Sequence, residues 1–398
     1  MTLRPGTLVR SATMEPMSLQ PRLARSTTLA CAALLACGLT SCTGPERQSE
    51  DERPSDPGTV TVTETTTEDT QTIDQNDPVR VADTIATDLE APWGLGFLPD
   101  GTALVTQRDR GTISLIDGAS VCKVGTIDET APSSEGGLLG LAVSPDFATD
   151  QRVFVYVTTA HDNRVLSMRF DGSSISDITP ILTGIPNGDI HDGGRLAFGP
   201  DGFLYVSTGE TGDDDLAQDD DSLGGKILRI TTEGDPAPGN PDTSSPVWTK
   251  GHRNVQGLAF DDANRLWASE FGSQVWDEVN RIEPGNNYGW PLAEGDSNLE
   301  GYVDPQVQWS PDEASPSSVA FADGSLWVAS LRGERLWQVA IKADGTLGRP
   351  VPHFVGAYGR LRTVVAAPDG SLWLGTSNRD GRGDPAPTDD RIFRVTLP

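Results

Sequence analysis

Cysteine is scarce in this chain, and its distribution limits the covalent chemistry open to the folded part. The 398 residues contain four cysteines, and Cys122 is the only one beyond residue 42. The chain beyond that point therefore cannot form an intrachain disulfide, and it has no Cys-x-x-Cys-His motif for attaching a haem. With Val121 as its neighbour, Cys122 is expected to be a buried small hydrophobic residue.

Basic residues and helical patterns are also scarce. Lysine and arginine number 30 against 58 aspartates and glutamates, which gives a net charge of -28. Because phosphate backbones bind lysine and arginine, this balance excludes nucleic acid as a partner. Helical periodicity is absent after residue 45, where short apolar runs rich in Val, Ile, Leu, Trp and Tyr indicate strands instead.

The first 78 residues have the composition of a targeting segment followed by a tether. Arg22 and Arg25 precede an apolar run at residues 27–39, which is too short to span a bilayer. The run ends in Leu-Thr-Ser-Cys, which resembles a bacterial lipobox. We therefore expect residues 1–41 to be a signal peptide with an upstream extension, and Cys42 to carry a lipid that anchors an exported lipoprotein to the outer side of the cell membrane. Cleavage nearby without lipid attachment is the alternative.

The composition changes again before residue 79. Residues 42–78 are rich in Glu, Asp, Thr, Ser and Pro and hold almost no large apolar side chains, so we expect a disordered acidic tether. Residues 79–398 are then the folded domain.

Six similar turns divide this domain into repeats. Each turn is of the Pro-Asp-Gly kind, lies between two apolar stretches and is followed by a third stretch. The turns centre on Pro99, Pro145, Pro200, Asp261, Ala322 and Pro368. Spacings of 46 to 61 residues suit a four-stranded propeller blade. The sequence therefore predicts an all-β, six-bladed β-propeller, in which a strand at Val81 completes the last blade.

Blade geometry then predicts which polar residues meet. All six turns lie on one face of the disc, so the opposite ends of the first and second strands lie on the other face. Those ends carry a histidine, several arginines, an asparagine and glutamates. They are Glu135, His191, Glu210, Arg253, Asn254, Glu270, Arg332, Arg360 and Arg362. Charged groups that converge on a channel mouth predict a binding or active site.

Several of these residues stand in distinctive motifs. The motifs are Glu135-Gly-Gly-Leu-Leu-Gly, His191-Asp-Gly-Gly-Arg-Leu, Gly251-His-Arg-Asn-Val-Gln-Gly-Leu, Glu270-Phe-Gly and Asn287-Tyr-Gly-Trp-Pro. In this order, on a six-fold repeat, they resemble the soluble dehydrogenases for glucose and sorbosone that depend on pyrroloquinoline quinone (PQQ), particularly the bacterial aldose sugar dehydrogenases. The resemblance covers essentially all of residues 79–398.

The resemblance implies an activity and a set of roles. It implies that PQQ and calcium support oxidation of an aldose at C1 to the lactone, with electrons passed to an external acceptor. His191 would be the general base, and Arg253 would stabilise the developing oxyanion. The implied cofactor contacts are Glu135, Arg253, Asn254, Arg332, Arg360 and Arg362. The carbonyls of Gly272 and Ser273 would bind one calcium ion, and Glu278 and Tyr288 a second.

The sequence departs from the family pattern at one position, and it leaves two other functions open. Many relatives carry Asn or Asp directly before the histidine, where this chain has Ile190, so the sequence leaves the partner that orients His191 open, with Asp192 as a candidate. The first rival is a non-catalytic propeller that binds a glycan or protein at the cell surface. The second is a calcium-dependent lactonase, which the arginine set disfavours because a lactone has no carboxylate to bind.

Overall fold

The computed structural model describes residues 78–398. The predicted signal peptide, the lipidated Cys42 and the tether apart from its last residue lie outside this range. The described chain forms six antiparallel sheets of four strands each, so the predicted six-bladed β-propeller is confirmed.

The strands follow the order that the repeat predicts. Strand β1 (Arg80–Ala86) belongs to the sixth blade. Blade 1 comprises β2 (Pro92–Phe97), β3 (Ala103–Gln107), β4 (Thr112–Asp117) and β5 (Ser120–Thr126). Blade 2 comprises β6 (Leu138–Val143), β7 (Arg152–Thr158), β8 (Asn163–Phe170) and β9 (Ile175–Ile185), with the short helix α1 (Phe147–Asp150) between its first two strands. Blade 3 comprises β10 (Leu196–Phe198), β11 (Leu204–Ser207), β12 (Lys226–Ile230) and β13 (Val247–Lys250), with a 3₁₀ helix at Asp214–Ala217.

The second half of the ring repeats the same plan. Blade 4 comprises β14 (Val255–Phe260), β15 (Leu266–Glu270), β16 (Asp277–Ile282) and β17 (Val307–Trp309). Blade 5 comprises β18 (Pro316–Ala322), β19 (Ser325–Ser330), β20 (Arg335–Ala340) and β21 (Val351–His353). Blade 6 comprises β22 (Leu361–Ala366), β23 (Leu372–Thr376), β24 (Ile392–Thr396) and β1.

The Pro-Asp-Gly turns join the first and second strands, and the side chain of the aspartate explains the motif. Asp100 Oδ1 accepts a hydrogen bond from the Thr102 amide at 3.0 Å, and Asp369 Oδ1 accepts one from the Ser371 amide at 3.0 Å. The glycine that follows the aspartate takes a left-handed conformation, with φ of 89° at Gly101, which suits a residue without a Cβ.

The ring closes through both backbone and side-chain hydrogen bonds. Strand β1 pairs antiparallel with β24, so both ends of the domain lie in one sheet, as predicted. At the axis, the Thr363 hydroxyl of blade 6 donates to the Trp93 carbonyl of blade 1 at 2.6 Å. The same kind of bond joins other neighbouring blades, from Thr106 to the Leu139 carbonyl, Ser207 to Val255, Ser269 to Ser317 and Ser318 to Val364. These buried bonds fix the register of adjacent inner strands.

Bulges in the inner strands direct particular residues to the axis. The pairing of β14 with β15 is irregular between Val255 and Gly257, and that of β22 with β23 is irregular between Leu361 and Thr363. Gln256 and Arg362 are therefore the extra residues at these two bulges. A β-bulge re-aims the side chain that it inserts, which explains how both residues reach the central cavity described below.

The expectation for Cys122 is wrong. The residue is exposed, because β5 is the outermost strand of blade 1 and has no further strand beside it. Within residues 78–398, no helix is long and apolar enough to cross a bilayer.

Candidate functional site

A cavity of about 450 Å³ lies where the strand ends opposite the turns converge. It brings together nine of the predicted site residues, from five of the six blades and the loops between them. They are Glu135, His191, Arg253, Asn254, Gly272, Ser273, Arg332, Arg360 and Arg362. Arg108, which follows the second strand of blade 1 and was expected on this face, also lines it, whereas sequence reasoning missed the charged residues Asp380 and Arg382. The predicted residues Glu270, Glu278 and Tyr288 line a much smaller cavity of about 10 Å³ that also contacts Arg253 and Gly272.

His191 is held at the cavity wall through both its backbone and its ring. Its backbone is left-handed, with φ of 58°, and its amide donates to Glu135 Oε2 at 2.9 Å. The loop passes so close to β11 that a Cβ on Gly209 would lie 1.8 Å from the His191 carbonyl oxygen. The side chain is 11% exposed, and its Nδ1 lies 2.6 Å from Glu210 Oε1. An ionised carboxylate can only accept, so Nδ1 carries a proton, and in the neutral imidazole Nε2 then has the lone pair.

Glu210, and not Asp192, is therefore the partner of the His191 ring. The Asp192 carboxyl accepts instead from Asn163 Nδ2 at 2.9 Å and from the Gly188 amide at 3.2 Å, and burial raises its pKa to about 6. The expectation for Asp192 is wrong because adjacent residues of this tight loop point in different directions. Glu210 follows the second strand of the same blade. The repeat pattern therefore predicted it on the face that carries the cavity, but it could not predict the contact with His191.

Glu135 has both carboxylate oxygens occupied by the protein. Oε2 accepts from the His191 amide and Oε1 from Arg382 Nη1 at 3.0 Å. Burial alone would raise the pKa of Glu135, but the His191 amide and the Arg382 charge outweigh it and lower the pKa below its usual value. Its observed contacts are those of a residue that fixes the His191 backbone.

Arg253 and Asn254 present hydrogen-bond donors that the protein does not use. Arg253 Nη1 donates to the carbonyls of Phe271, at 3.3 Å, and Gly272. Its buried Nε has no hydrogen-bond partner within residues 78–398 and lies 3.9 Å from Glu210 Oε1. Asn254 Oδ1 accepts from the Gly193 amide at 3.1 Å, and its buried Nδ2 has no partner among the described residues. Buried polar groups are nearly always satisfied, so these donors indicate an acceptor-rich ligand or ordered water.

Arg360 and Arg362 share one carboxylate. Asp380 Oδ2 accepts from Arg360 Nε at 3.0 Å and from Arg362 Nη2 at 3.3 Å. Burial would raise the pKa of Asp380, but the two guanidiniums lower it, so the group is an anion in the neutral range. Arg362 Nη1 also donates to Gln256 Oε1 at 3.2 Å.

Arg332 lies apart from this buried set. Its side chain is 64% exposed, and it pairs with exposed Asp312 at 2.6 Å. The structure thus places Arg332 on the rim of the cavity.

The predicted calcium positions are rich in oxygen atoms. The turn at Gly272 is so tight that a Cβ there would lie 1.7 Å from the Trp276 carbonyl oxygen, and the Gly272 carbonyl already accepts from the Arg253 cation. Burial, followed by the charge of Glu270, raises the pKa of Glu278. The Tyr288 phenol donates to the Arg281 carbonyl at 2.7 Å, so it is not free to bind a metal. No cluster of three or more His, Cys, Asp or Glu side chains that could hold a metal occurs in the described part of the chain.

The fold and the site define the class of protein as a six-bladed propeller with an arginine-lined axial cavity and a histidine–glutamate pair at its wall. Within that class, the chain belongs to the glucose/sorbosone dehydrogenase family, whose model matches residues 89–384. The family predicted from the motifs is thereby confirmed.

The similarity to several relatives extends over most of their length. The PQQ-bound aldose sugar dehydrogenase of Streptomyces coelicolor is 53% identical, with a TM-score of 0.78 over 80% of this chain and 97% of that one. A glucose dehydrogenase-type oxidoreductase structure from Thermus thermophilus is 42% identical, with a TM-score of 0.76 over 80% and 99%. The aldose sugar dehydrogenase YliI of Escherichia coli is 29% identical over 334 residues, which is 74% of this chain and 89% of YliI.

Proposed function

We propose that this protein is a PQQ- and calcium-dependent dehydrogenase that oxidises an aldose at C1 to the lactone and passes the electrons to an external acceptor. The observation that carries the proposal is the His191–Glu210 pair at 2.6 Å, which faces an arginine-lined cavity with unused donors on Arg253 and Asn254. Family membership and the PQQ-bound Streptomyces relative support the choice of cofactor.

The cavity residues fit PQQ, whose edge carries carboxylates and quinone oxygens. The unpartnered Arg253 Nε and Asn254 Nδ2 are donors that such oxygens would satisfy. In the described part of the chain, Arg360 and Arg362 pair with one carboxylate, that of Asp380, so a second anion is electrostatically favoured there. We propose that these four residues hold the cofactor, that rim residue Arg332 assists, and that Glu135 acts through His191 rather than by direct contact.

The reaction separates a proton and a hydride from the sugar. PQQ, when bound, supplies an electron-poor quinone that can accept the hydride from C1. His191 Nε2 takes the proton of the C1 hydroxyl, because Glu210 keeps the other ring nitrogen protonated. The imidazolium that forms is stabilised by the Glu210 carboxylate, which is 1% exposed. The Arg253 cation, 3.9 Å from that carboxylate, lies where it can stabilise negative charge on an acceptor oxygen.

Calcium would bind through oxygen atoms beside this pair. We propose that the Gly272 and Ser273 carbonyls hold one ion next to the cofactor, and that Glu278 with the Tyr288 carbonyl holds a second in the smaller cavity. A cavity of about 10 Å³ matches a single ion or water, and a cation would relieve the repulsion between Glu278 and Glu270. Calcium should therefore raise the melting temperature, and Glu278→Gln should reduce that increase.

The location of the protein is also a proposal. We propose that Cys42 carries the lipid of an exported membrane lipoprotein, that residues 42–78 are the tether, and that the acceptor is a separate molecule. Metabolic labelling with a fatty acid, lost in Cys42→Ser, would test the anchor.

Reconstitution of the full chain tests the function. With PQQ and calcium, it should reduce an electron-accepting dye in the presence of at least one aldose from a panel. His191→Ala and Arg253→Ala should lower turnover at least 100-fold, whereas the exposed His161→Ala should not. Binding of glycans without dye reduction would favour the non-catalytic rival, and hydrolysis of lactones without PQQ would favour the lactonase.

A further inference from the structure

Arg195 is a buried arginine next to the propeller axis that the mechanism above does not use. Its Nε donates to the Gln256 carbonyl at 2.8 Å and its Nη1 to the Trp93 carbonyl at 3.4 Å. Its guanidinium lies 4.1 Å from the centre of the Trp93 ring. Its Nη2 is buried and has no partner in the described chain. Arg195 does not line the cavity, but it bonds directly to the backbone of Gln256, which does.

The charge of Arg195 is not balanced by a neighbouring carboxylate. Within residues 78–398 it makes no ion pair, and the charge that acts on it is that of the cation Arg362. Burial, together with the Arg362 charge, lowers the pKa of Arg195 to about 9, which still leaves it cationic at neutral pH. Arg360 and Arg362 share the carboxylate of Asp380, whereas no carboxylate of the described chain pairs with Arg195.

Another buried arginine in the same blade shows how the chain normally accommodates such a charge. Arg229 also stacks on an aromatic ring, that of Phe203 at 4.3 Å, but it pairs with Asp201 at 2.8 Å. A buried charge without a partner is costly, and its cost falls when a ligand of opposite charge binds nearby. Hydrogen bonds between blades do not need a positive charge without a counter-ion. The difference between Arg195 and Arg229 therefore indicates that the charge of Arg195 serves to bind an anion.

We propose that Arg195 is an electrostatic part of the anion-binding site: behind Gln256, its positive charge strengthens the binding of the anionic quinone and favours its reduced form. This inference rests on the proposed function for the identity of the anion. The Arg195 guanidinium acts through the field that it adds to the cavity, beside Arg360 and Arg362, and makes no direct contact with the ligand.

A charge series on the full chain tests the inference without sugar. The PQQ dissociation constant is measured by fluorescence titration, and the midpoint potential of the bound cofactor by spectroelectrochemistry, for wild type, Arg195→Gln, Arg195→Lys and Arg229→Gln. We expect Arg195→Gln to bind oxidised PQQ at least tenfold more weakly, and to lose more affinity for reduced PQQ than for oxidised PQQ. If the loss of affinity is tenfold larger for reduced PQQ, the midpoint potential falls by about 30 mV. Arg195→Lys, which keeps the charge, should stay within about threefold of wild type, and Arg229→Gln should lose stability but not affinity.

The outcomes separate the two proposals. If wild type binds no PQQ, the proposed function is wrong. If wild type binds PQQ and Arg195→Gln binds equally well, or if the Lys and Gln variants weaken equally, the electrostatic role is wrong. Should Arg195→Gln not fold, a loss of more than tenfold in folded Arg195→Lys would overturn the role of the charge.

Discussion

The Glu210 carboxylate is the group whose removal should damage catalysis most selectively. Glu210→Gln keeps the size of the side chain but removes the charge that stabilises the His191 imidazolium, and its amide can force the wrong ring tautomer. Loss of the equivalent carboxylate in histidine-based active sites costs up to about 10⁴-fold in kcat. With an Nδ1–Oε1 distance of 2.6 Å and a carboxylate that is 1% exposed, we expect a fall of at least 100-fold in kcat, about 2.7 kcal/mol of transition-state stabilisation.

The assay is steady-state dye reduction by the full chain, saturated with PQQ and calcium. Asp201→Asn is the matched control, because it removes a carboxylate that pairs with Arg229 in the same blade, at the turn end. It should leave kcat within about twofold. A double variant tests the route of the effect, since Glu210→Gln should add almost nothing in a His191→Ala background. Multiplicative losses in the double variant would refute the view that Glu210 acts through His191.

Three further predictions concern the loop, the ring and a buried acid. Gly272→Ala should weaken calcium-dependent activation at least tenfold, since its Cβ would lie 1.7 Å from the Trp276 carbonyl oxygen; a calcium titration measures this. Thr363→Val should lower the free energy of unfolding by about 1 kcal/mol in urea, because it deletes the 2.6 Å bond to Trp93 that joins blades 6 and 1. Asp192→Asn should gain stability relative to wild type as pH rises. The folded pKa of about 6 lies above the ordinary 3.8, so wild type loses up to about 3 kcal/mol between pH 4 and pH 7, and the amide does not.

Each of these variants has a control in the same chain. Gly375→Ala adds a Cβ whose nearest neighbour lies 3.4 Å away, an ordinary contact. Thr396→Val removes an exposed bond of 3.4 Å at the outer strand of the same closure. Asp83→Asn changes a carboxylate that is exposed on the outer strand of blade 6. An unchanged calcium response in Gly272→Ala would contradict the argument from the tight turn. Equal losses of stability in the two threonine variants would contradict the role of the bond to Trp93. A stability difference for Asp192→Asn that does not depend on pH would contradict the raised pKa of Asp192.

The sequence predicted the features that depend on periodicity. The turn motif recurs once per blade, so it fixed the blade count, the face that carries the site and the closure by β1. Placing His191, Arg253 and Arg362 on that face needed only their positions relative to each turn. The outermost strands were harder to recognise, because they range from the three residues of β17 to the eleven of β9 and share no pattern.

Contacts between irregular loops could not be predicted in this way. Arg382 reaches Glu135 across 247 positions of the sequence, and no local pattern links the two. Asp380 lies in the same long loop, and only the fold shows that it holds Arg360 and Arg362 together. Arg195 belongs to the His191-Asp-Gly-Gly-Arg-Leu motif, but its burial without a counter-ion is a property of the packed ring that the motif does not show. His191 likewise pairs with Glu210 rather than Asp192 in a loop where its own backbone is left-handed, which the sequence does not show.

The most direct test of the central claim is an anaerobic single turnover of the full chain, loaded with PQQ and calcium and mixed with an aldose that is either protiated or deuterated at C1. The absorbance of the cofactor reports its reduction. We predict rapid reduction with a primary isotope effect in wild type, and binding of PQQ with reduction at least 100-fold slower in His191→Ala. Bound PQQ that no aldose reduces, or reduction in His191→Ala at the wild-type rate, would contradict the account.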